Sequence, residues 1–193
     1  MWIKTIPYEA SEGDLRDQYD RQVRALGEPT EMTTAGSLHP PLVQARLDLY
    51  SATEQCPSRL TAHQRNLISY VTSALNRTGY CMSQVTIKLR QTGFSDDQIS
   101  SLATDPVGAN LPPADAALVR YAAKLTSDPG SVSENDIENL RSAGFADLEI
   151  LDANAQCSHL NYVNRVAMGL GIHSIVDPDF PAYDAIPAAA EGA

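Results

Sequence analysis

Residues Leu60 to Gly93, LTAHQRNLISYVTSALNRTGYCMSQVTIKLRQTG, decide the fold of this chain. Leu67, Ile68, Val71 and Leu75 fall on one helical stripe, so Thr61 to Leu75 reads as an amphipathic helix. Asn76-Arg77-Thr78-Gly79 breaks the pattern, because Asn and Gly favour turn conformations. Tyr80-Cys81 opens a second helix whose apolar side carries Val85, Ile87 and Leu89, and Gly93 closes it as a C-cap. A cysteine in a first helical turn lies near the positive end of the macrodipole, where a thiolate is favoured. The competing reading of Cys81 is an inert core thiol, which cysteine statistics alone favour, since free Cys is among the most buried residue types.

Outward from this stretch, 193 residues suit one domain with a sizeable core. A hydrophobic share of 43% with 20% charged residues is that of a globular chain rather than a disordered one. The net charge of −10 argues against nucleic acid and anionic membrane surfaces as partners, because neither would be attracted. Cys56, Cys81 and Cys157 are odd in number and widely spaced, which does not suit a disulfide framework. No secretory leader pattern opens the chain and no apolar run reaches membrane-spanning length. A cytoplasmic location is the resulting expectation.

The rest of the chain reads as helices punctuated by Gly and Pro. Met1 to Tyr8 is expected as an extended arm, and Ser11 to Leu26 as a helix carrying Leu15, Tyr19 and Val23. Gly27 to Ser37 should be a loop. A further helix starts at His39-Pro40-Pro41, with apolar Leu42, Val43, Leu47 and Leu49-Tyr50. Leu89-Arg90-x-x-Gly93-Phe94-x-Asp96-x-x-Ile99 recurs 51 residues later as Leu140-Arg141-x-x-Gly144-Phe145-x-Asp147-x-x-Ile150. Each copy reads as a helix end, a glycine cap, an apolar Phe and a new helix start, so two related helical units pack on one another. Ser95 with Gln98, and Ser131 with Glu134, have capping-box spacing. Ala114 to Thr126, Asn135 to Ala143 and Asp147 to Leu170 complete the helices. No alternating run is long enough for a strand, and the class is all-α. One domain is expected over 1–175, made of an N-terminal arm and helices (1–59), a core unit (60–110) and a second unit (111–175), with a tail over 176–193.

The common cofactor motifs are missing. Gly169-Leu170-Gly171 follows a helix rather than a strand, so it is no dinucleotide fingerprint. His39, His63, His159 and His173 form no i,i+4 pair, and neither a metal nor another cofactor is called for. Two polar clusters remain. One is His63, Asn66, Thr78, Tyr80 and Cys81 around the turn. The other lies on the long last helix, where Asn154, Gln156 and His159 interrupt an otherwise apolar surface. Buried amides and imidazoles are costly unless hydrogen-bonded, so they either satisfy backbone groups or line a polar pocket for a small molecule.

The helix, Asn, turn, Tyr80-Cys81 and second helix ending Leu89-Arg90-x-x-Gly93 resemble the alkyl hydroperoxidase D/carboxymuconolactone decarboxylase family, in its peroxidase-related branch. The resemblance runs from Trp2-Ile3-Lys4-Thr5-Ile6-Pro7-Tyr8 to Gly171. That family usually carries a glutamate on the first helix, a C-x-x-C at the turn and a histidine four residues after the second cysteine. Here those positions hold Asn66, Thr78 with Cys81, and Val85. The resemblance implies the family's helical fold and a homo-oligomer, but the dithiol set is incomplete. Thr78 cannot resolve a sulfenic acid and Asn66 cannot take a proton. The reading is a cofactor-independent enzyme using acid/base chemistry on a small organic metabolite. His159, His63, Cys81 and Tyr80 are the candidate catalytic residues, and Asn66, Thr78, Asn154 and Gln156 the substrate-binding ones. A one-cysteine, thiol-dependent peroxidase using Cys81 and a non-catalytic binding protein are the alternatives.

Overall fold

The structure, a computed structural model, describes residues 1–180. Among them every regular element is helical. The order is α1 (Gly13–Leu26), α2 (Glu31–Ala35), α3 (Pro40–Glu54), α4 (Ala62–Leu75), α5 (Gly79–Gln91), α6 (Asp96–Thr104), α7 (Pro113–Ser127), α8 (Glu134–Ser142) and α9 (Asp147–Leu170). The expected loop over Gly27 to Ser37 contains α2, which is a correction. Its five residues are too few to show a 3.6-residue period, and it forms because Met32, Thr33 and Ala35 all pack inward.

Helix α4 is the centre of the molecule, in contact with α5, α6, α7 and α9. Thr61 starts it with a capping box, its hydroxyl accepting from Gln64 N at 3.1 Å while Gln64 Oε1 accepts from Thr61 N at 3.0 Å. The amphipathic expectation is corrected here. Every residue from Arg65 to Ala74 is buried, Ser69, Thr72 and Ser73 included, while Leu75 on the supposed inner stripe is 38% exposed. A helix packed on all sides has no polar face, and its hydroxyls are hidden by bonding to neighbours: Ser69 to Arg65 O, and Ser73 to Asn164.

The repeat has a clear physical basis. Gly93 and Gly144 hold φ of +95° and +99°, a left-handed conformation that costs little only for glycine. Phe94 N donates to Leu89 O, and Phe145 N to Leu140 O, so each turn closes with the same six-to-one bond. Arg90 reaches across its turn to Asp96 at 2.7 Å, and Arg141 to Asp147 at 2.8 Å. Leu89 and Ile99 enter one apolar cluster with Leu67, Tyr70 and Val119. Leu140 and Ile150 enter a second one with Ile68, Leu118 and Ala122. Helices α4 and α7 join the two clusters.

The capping box expected at Ser131 and Glu134 falls instead at Ser133 and Asp136. Pro129–Ser131 forms a 3-10 turn that delays the helix start. The Asp136 carboxylate accepts from Ser133 N at 2.7 Å and from Lys124 at 2.7 Å. The N-terminal arm is docked rather than free. Trp2 N donates to Leu170 O, Ile6 N to Ser37 Oγ, and Tyr19 donates its hydroxyl proton to Ile6 O. The expected tail is described only to Phe180. Asp177 there is buried and paired with Arg90 at 2.5 Å, and residues 181–193 lie outside the described residues. Among the described residues no helix is long and apolar enough to cross a membrane.

Candidate functional site

Helices α1, α3, α5 and α9 leave a cavity of about 390 Å³ between them, with α4 contributing Ser69. It is lined by Tyr80, Cys81, Gln84 and Val85 from α5, by His159, Leu160 and Val163 from α9, and by Arg46, Tyr50 and Glu54 from α3. The C-terminal half of α1, through Arg21, Gln22, Ala25 and Leu26, forms the remaining wall. The first turn of α5 therefore meets the middle of α9, and three of the eight candidate residues, Tyr80, Cys81 and His159, share one space.

His159 is 4% exposed. Its Nδ1 lies 3.1 Å from Thr53 Oγ1 on α3. Thr53 directs its own single proton back to Leu49 O at 2.9 Å, a common habit of threonine in a helix. The hydroxyl oxygen is then an acceptor, Nδ1 carries the ring proton, and Nε2 keeps a lone pair. Nε2 is buried and has no hydrogen-bond partner among the described residues. Burial, with a smaller contribution from the Arg46 cation, pushes the pKa of His159 down to about 4, so the ring is neutral at pH 7. The Tyr50 ring stands edge-on to it, centroids 6.1 Å apart.

Gln156 sits behind this lining. Its Nε2 donates to Glu54, which lines the cavity, and to Ser69 Oγ at 2.8 Å. Ser69 gives its proton to Arg65 O, so both partners of that amide nitrogen are acceptors and the amide orientation follows. Gln156 Oε1 is left as a second buried polar atom without a partner among the described residues.

Cys81 is 5% exposed, and burial pushes its thiol up to about 12. The position in the first turn of α5 suggested a favoured thiolate, and the structure corrects this: desolvation raises the thiol, and no charged group of the described residues offsets it. Cys56, Cys81 and Cys157 are all free.

The other candidates are placed elsewhere. His63 Nε2 lies 3.1 Å from Asp115 and its ring packs on Phe94, 5.1 Å between centroids. Asn154 donates to Tyr121 OH at 2.8 Å. Thr78 is buried at the start of α5 with its hydroxyl directed to Asn76 O at 3.4 Å. Asn66 is buried on α4 and is not on the cavity wall. The residues that sequence reasoning passed over are on α3. Arg46, Tyr50 and Glu54 recur every four residues, the spacing of one helix face, and that polar stripe was the available signal. Among the described residues, no group of His, Cys, Asp and Glu side chains is arranged to hold a metal ion.

The all-helical fold is similar to that of solved alkyl hydroperoxidase D-like proteins. The core of an alkylhydroperoxidase AhpD, an uncharacterized peroxidase-related protein from Ralstonia eutropha JMP134, superposes with a TM-score of 0.79 at 24% identity, covering 92% of each chain. An uncharacterized peroxidase-related protein from Silicibacter sp. TM1040 gives 0.73 at 24% identity over 87% of this chain and 85% of that one. The debrominase Bmp8, in complex with 2,3,4-tribromopyrrole, gives 0.71 at 13% identity over 89% and 90%. No curated protein matches the sequence. Residues 40–124 match the model of the carboxymuconolactone decarboxylase family.

Proposed function

We propose that this protein is a cofactor-independent enzyme that carries out acid/base chemistry on a small organic molecule held between α3, α5 and α9. The observation that carries the reading is that His159, a residue of the cavity lining, has a buried Nε2 with no partner among the described residues and an Nδ1 fixed by Thr53. In the proposed step a C–H or O–H bond of the substrate breaks and its proton moves to Nε2. The electron pair stays on the substrate, and the nearby Arg46 cation favours the anion left behind. The imidazolium then returns the proton to the product, so no oxidant or reductant is consumed. Tyr80 and Tyr50 stay neutral, because burial raises both phenols, and they offer hydroxyl donors that orient the substrate.

The thiol reading is disfavoured on the same geometry. A one-cysteine peroxidase needs a thiolate, and a thiol near 12 is ionised in roughly one molecule in 10⁵ at pH 7. The debrominase of the same fold is described with a small heteroaromatic molecule, which supports an organic ligand of modest size for a cavity of about 390 Å³.

The test is hydrogen exchange in D₂O, followed by NMR, on a panel of small hydroxy and carbonyl compounds. Enzyme-dependent exchange at carbon is expected with wild type, falling at least about a hundredfold in His159→Gln and little changed in Cys81→Ala. Exchange lost in Cys81→Ala and kept in His159→Gln, or peroxide turnover with a small thiol, would overturn the reading in favour of the peroxidase. No exchange across the panel, with full biological function in the Cys81→Ala/His159→Gln double variant, would favour the binding protein.

A further inference from the structure

Arg46 is half-buried on α3 and lines the cavity. Its one side-chain hydrogen bond among the described residues goes to the hydroxyl of Thr33, and no carboxylate of the described residues lies within 4 Å of it. Withdrawal from water pushes its pKa down, and the phenols of Tyr162, Tyr80 and Tyr50 are among the groups that act on it. A guanidinium removed from solvent without a counter-charge is costly, and the cost disappears when an anion binds.

The other charges on the wall do not supply that anion. Arg21 is occupied by Asp48 at 2.6 Å and Ser51 at 2.8 Å. Lys88 is a second cation. Glu54, the lining carboxylate, accepts from Gln156 instead. A chain with a net charge of −10 thus gathers three cations and one carboxylate at this cavity. Positive potential there runs against the overall charge and attracts small anions. His159 Nε2 adds a complementary demand. Being an acceptor, buried and unpartnered, it is satisfied by a ligand N–H or O–H.

We infer that the ligand is a small hydroxy acid, a monocarboxylate whose carboxylate pairs with Arg46 and whose hydroxyl donates to Nε2 of His159. The inference rests on the cavity being the working site, as proposed above, and adds the substrate class. Leu160, Val163, Val85 and Met32 give the body of such a molecule an apolar bed. A bidentate carboxylate–guanidinium pair at this position also neutralises the Arg46 charge, the smaller contribution after burial to the depressed His159 pKa. The charged and titratable groups that bear on that ring are Arg46, Tyr50 and Glu54 from α3, Tyr80, Cys81 and Lys88 from α5, and Arg21 from α1.

Calorimetric titration of the full chain with mandelate, phenylacetate and mandelamide tests the inference, and salicylate with benzoate repeats it on a flat ring. Mandelate should bind saturably. Removing its hydroxyl or replacing its carboxylate by the amide should each weaken binding about tenfold, equivalent to about 1.4 kcal/mol. Arg46→Met should abolish the preference for acid over amide. Side-chain ¹⁵N NMR of wild type should report a shift of His159 Nε2 with mandelate that phenylacetate does not reproduce, which keeps the hydroxyl arm independent of any variant. Equal binding of acid and amide, an unchanged preference in a folded Arg46→Met, no saturable binding of either hydroxy acid, or an unmoved Nε2 overturns the inference. Hydroxy acids that bind with this selectivity but show no exchange in D₂O leave the ligand class standing and remove the acid/base reading. Exchange on neutral carbonyl compounds with no acid preference does the reverse.

Discussion

At the residue scale, the site depends on a histidine kept neutral and a thiol kept protonated by the same cause. Both are buried, and burial lowers the imidazole and raises the thiol. The sign of the effect on stability follows. The unfolded chain takes up the His159 proton near pH 6.5, whereas the folded protein resists until about 4. Between those values the unfolded state binds more protons, so stability falls as pH drops through this window and the loss is complete below about 4. The full loss is about 3 kcal/mol. Urea midpoints from pH 7 to 4 should decline more steeply in wild type than in His159→Gln, and parallel curves would mean that the ring is protonated in the fold. Cys81, Tyr80 and His159 were legible in the sequence, because a cysteine at a helix start and polar groups on an apolar helix stand out locally. His63, Asn66, Thr78 and Asn154 have the same local character, but helical period does not tell which neighbour each one faces. Three of them bond to Asp115, Asn76 and Tyr121 instead.

At the element scale, the repeated Leu-Arg-x-x-Gly-Phe-x-Asp-x-x-Ile was the most readable feature, since each of its residues has a local mechanical role. Its glycines reverse the chain, its Arg–Asp pairs span the turns, and its Leu and Ile anchor both sides. Gly144→Ala should destabilise by about 1–2 kcal/mol, the cost of a side chain in the left-handed region. Open space around that Cβ position means that the cost comes from the backbone alone. Thermal unfolding measures it, and an unchanged Tm would show that the turn relaxes freely. Helix α3 was the least readable element. Its exposed Leu42 and Leu49 and its polar Arg46, Tyr50 and Glu54 mimic a surface helix, and the cavity on its polar side comes from α1, α5 and α9 together.

At the scale of the whole molecule, the all-α class and the likeness to alkyl hydroperoxidase D-like folds followed from the sequence, while assembly is a proposal. We propose a homo-oligomer in which the N-terminal arm is covered. Trp2 is 71% exposed although its backbone is bonded to Leu170 O and its ring lies on Gly171, where a Cβ would come within 2.5 Å of it. Met1, Ile3, Ile175 and Val176 are exposed as well, and apolar groups of this size fixed at the surface favour association. Light scattering at micromolar concentration should give a multiple of the 20.8 kDa chain mass, reduced in Trp2→Ser. A monomer in wild type would remove the proposal without touching the site.

The proposed function stands on His159 keeping an unprotonated, unpartnered Nε2 beside the cavity at neutral pH. Side-chain ¹⁵N NMR of His159 through a pH titration measures this directly. The expected result is a ring protonated on Nδ1 alone, with Nε2 unprotonated, that gains its second proton only near pH 4. A proton on Nε2 at pH 7, or a titration at 6.5 or above in the free protein, would contradict it.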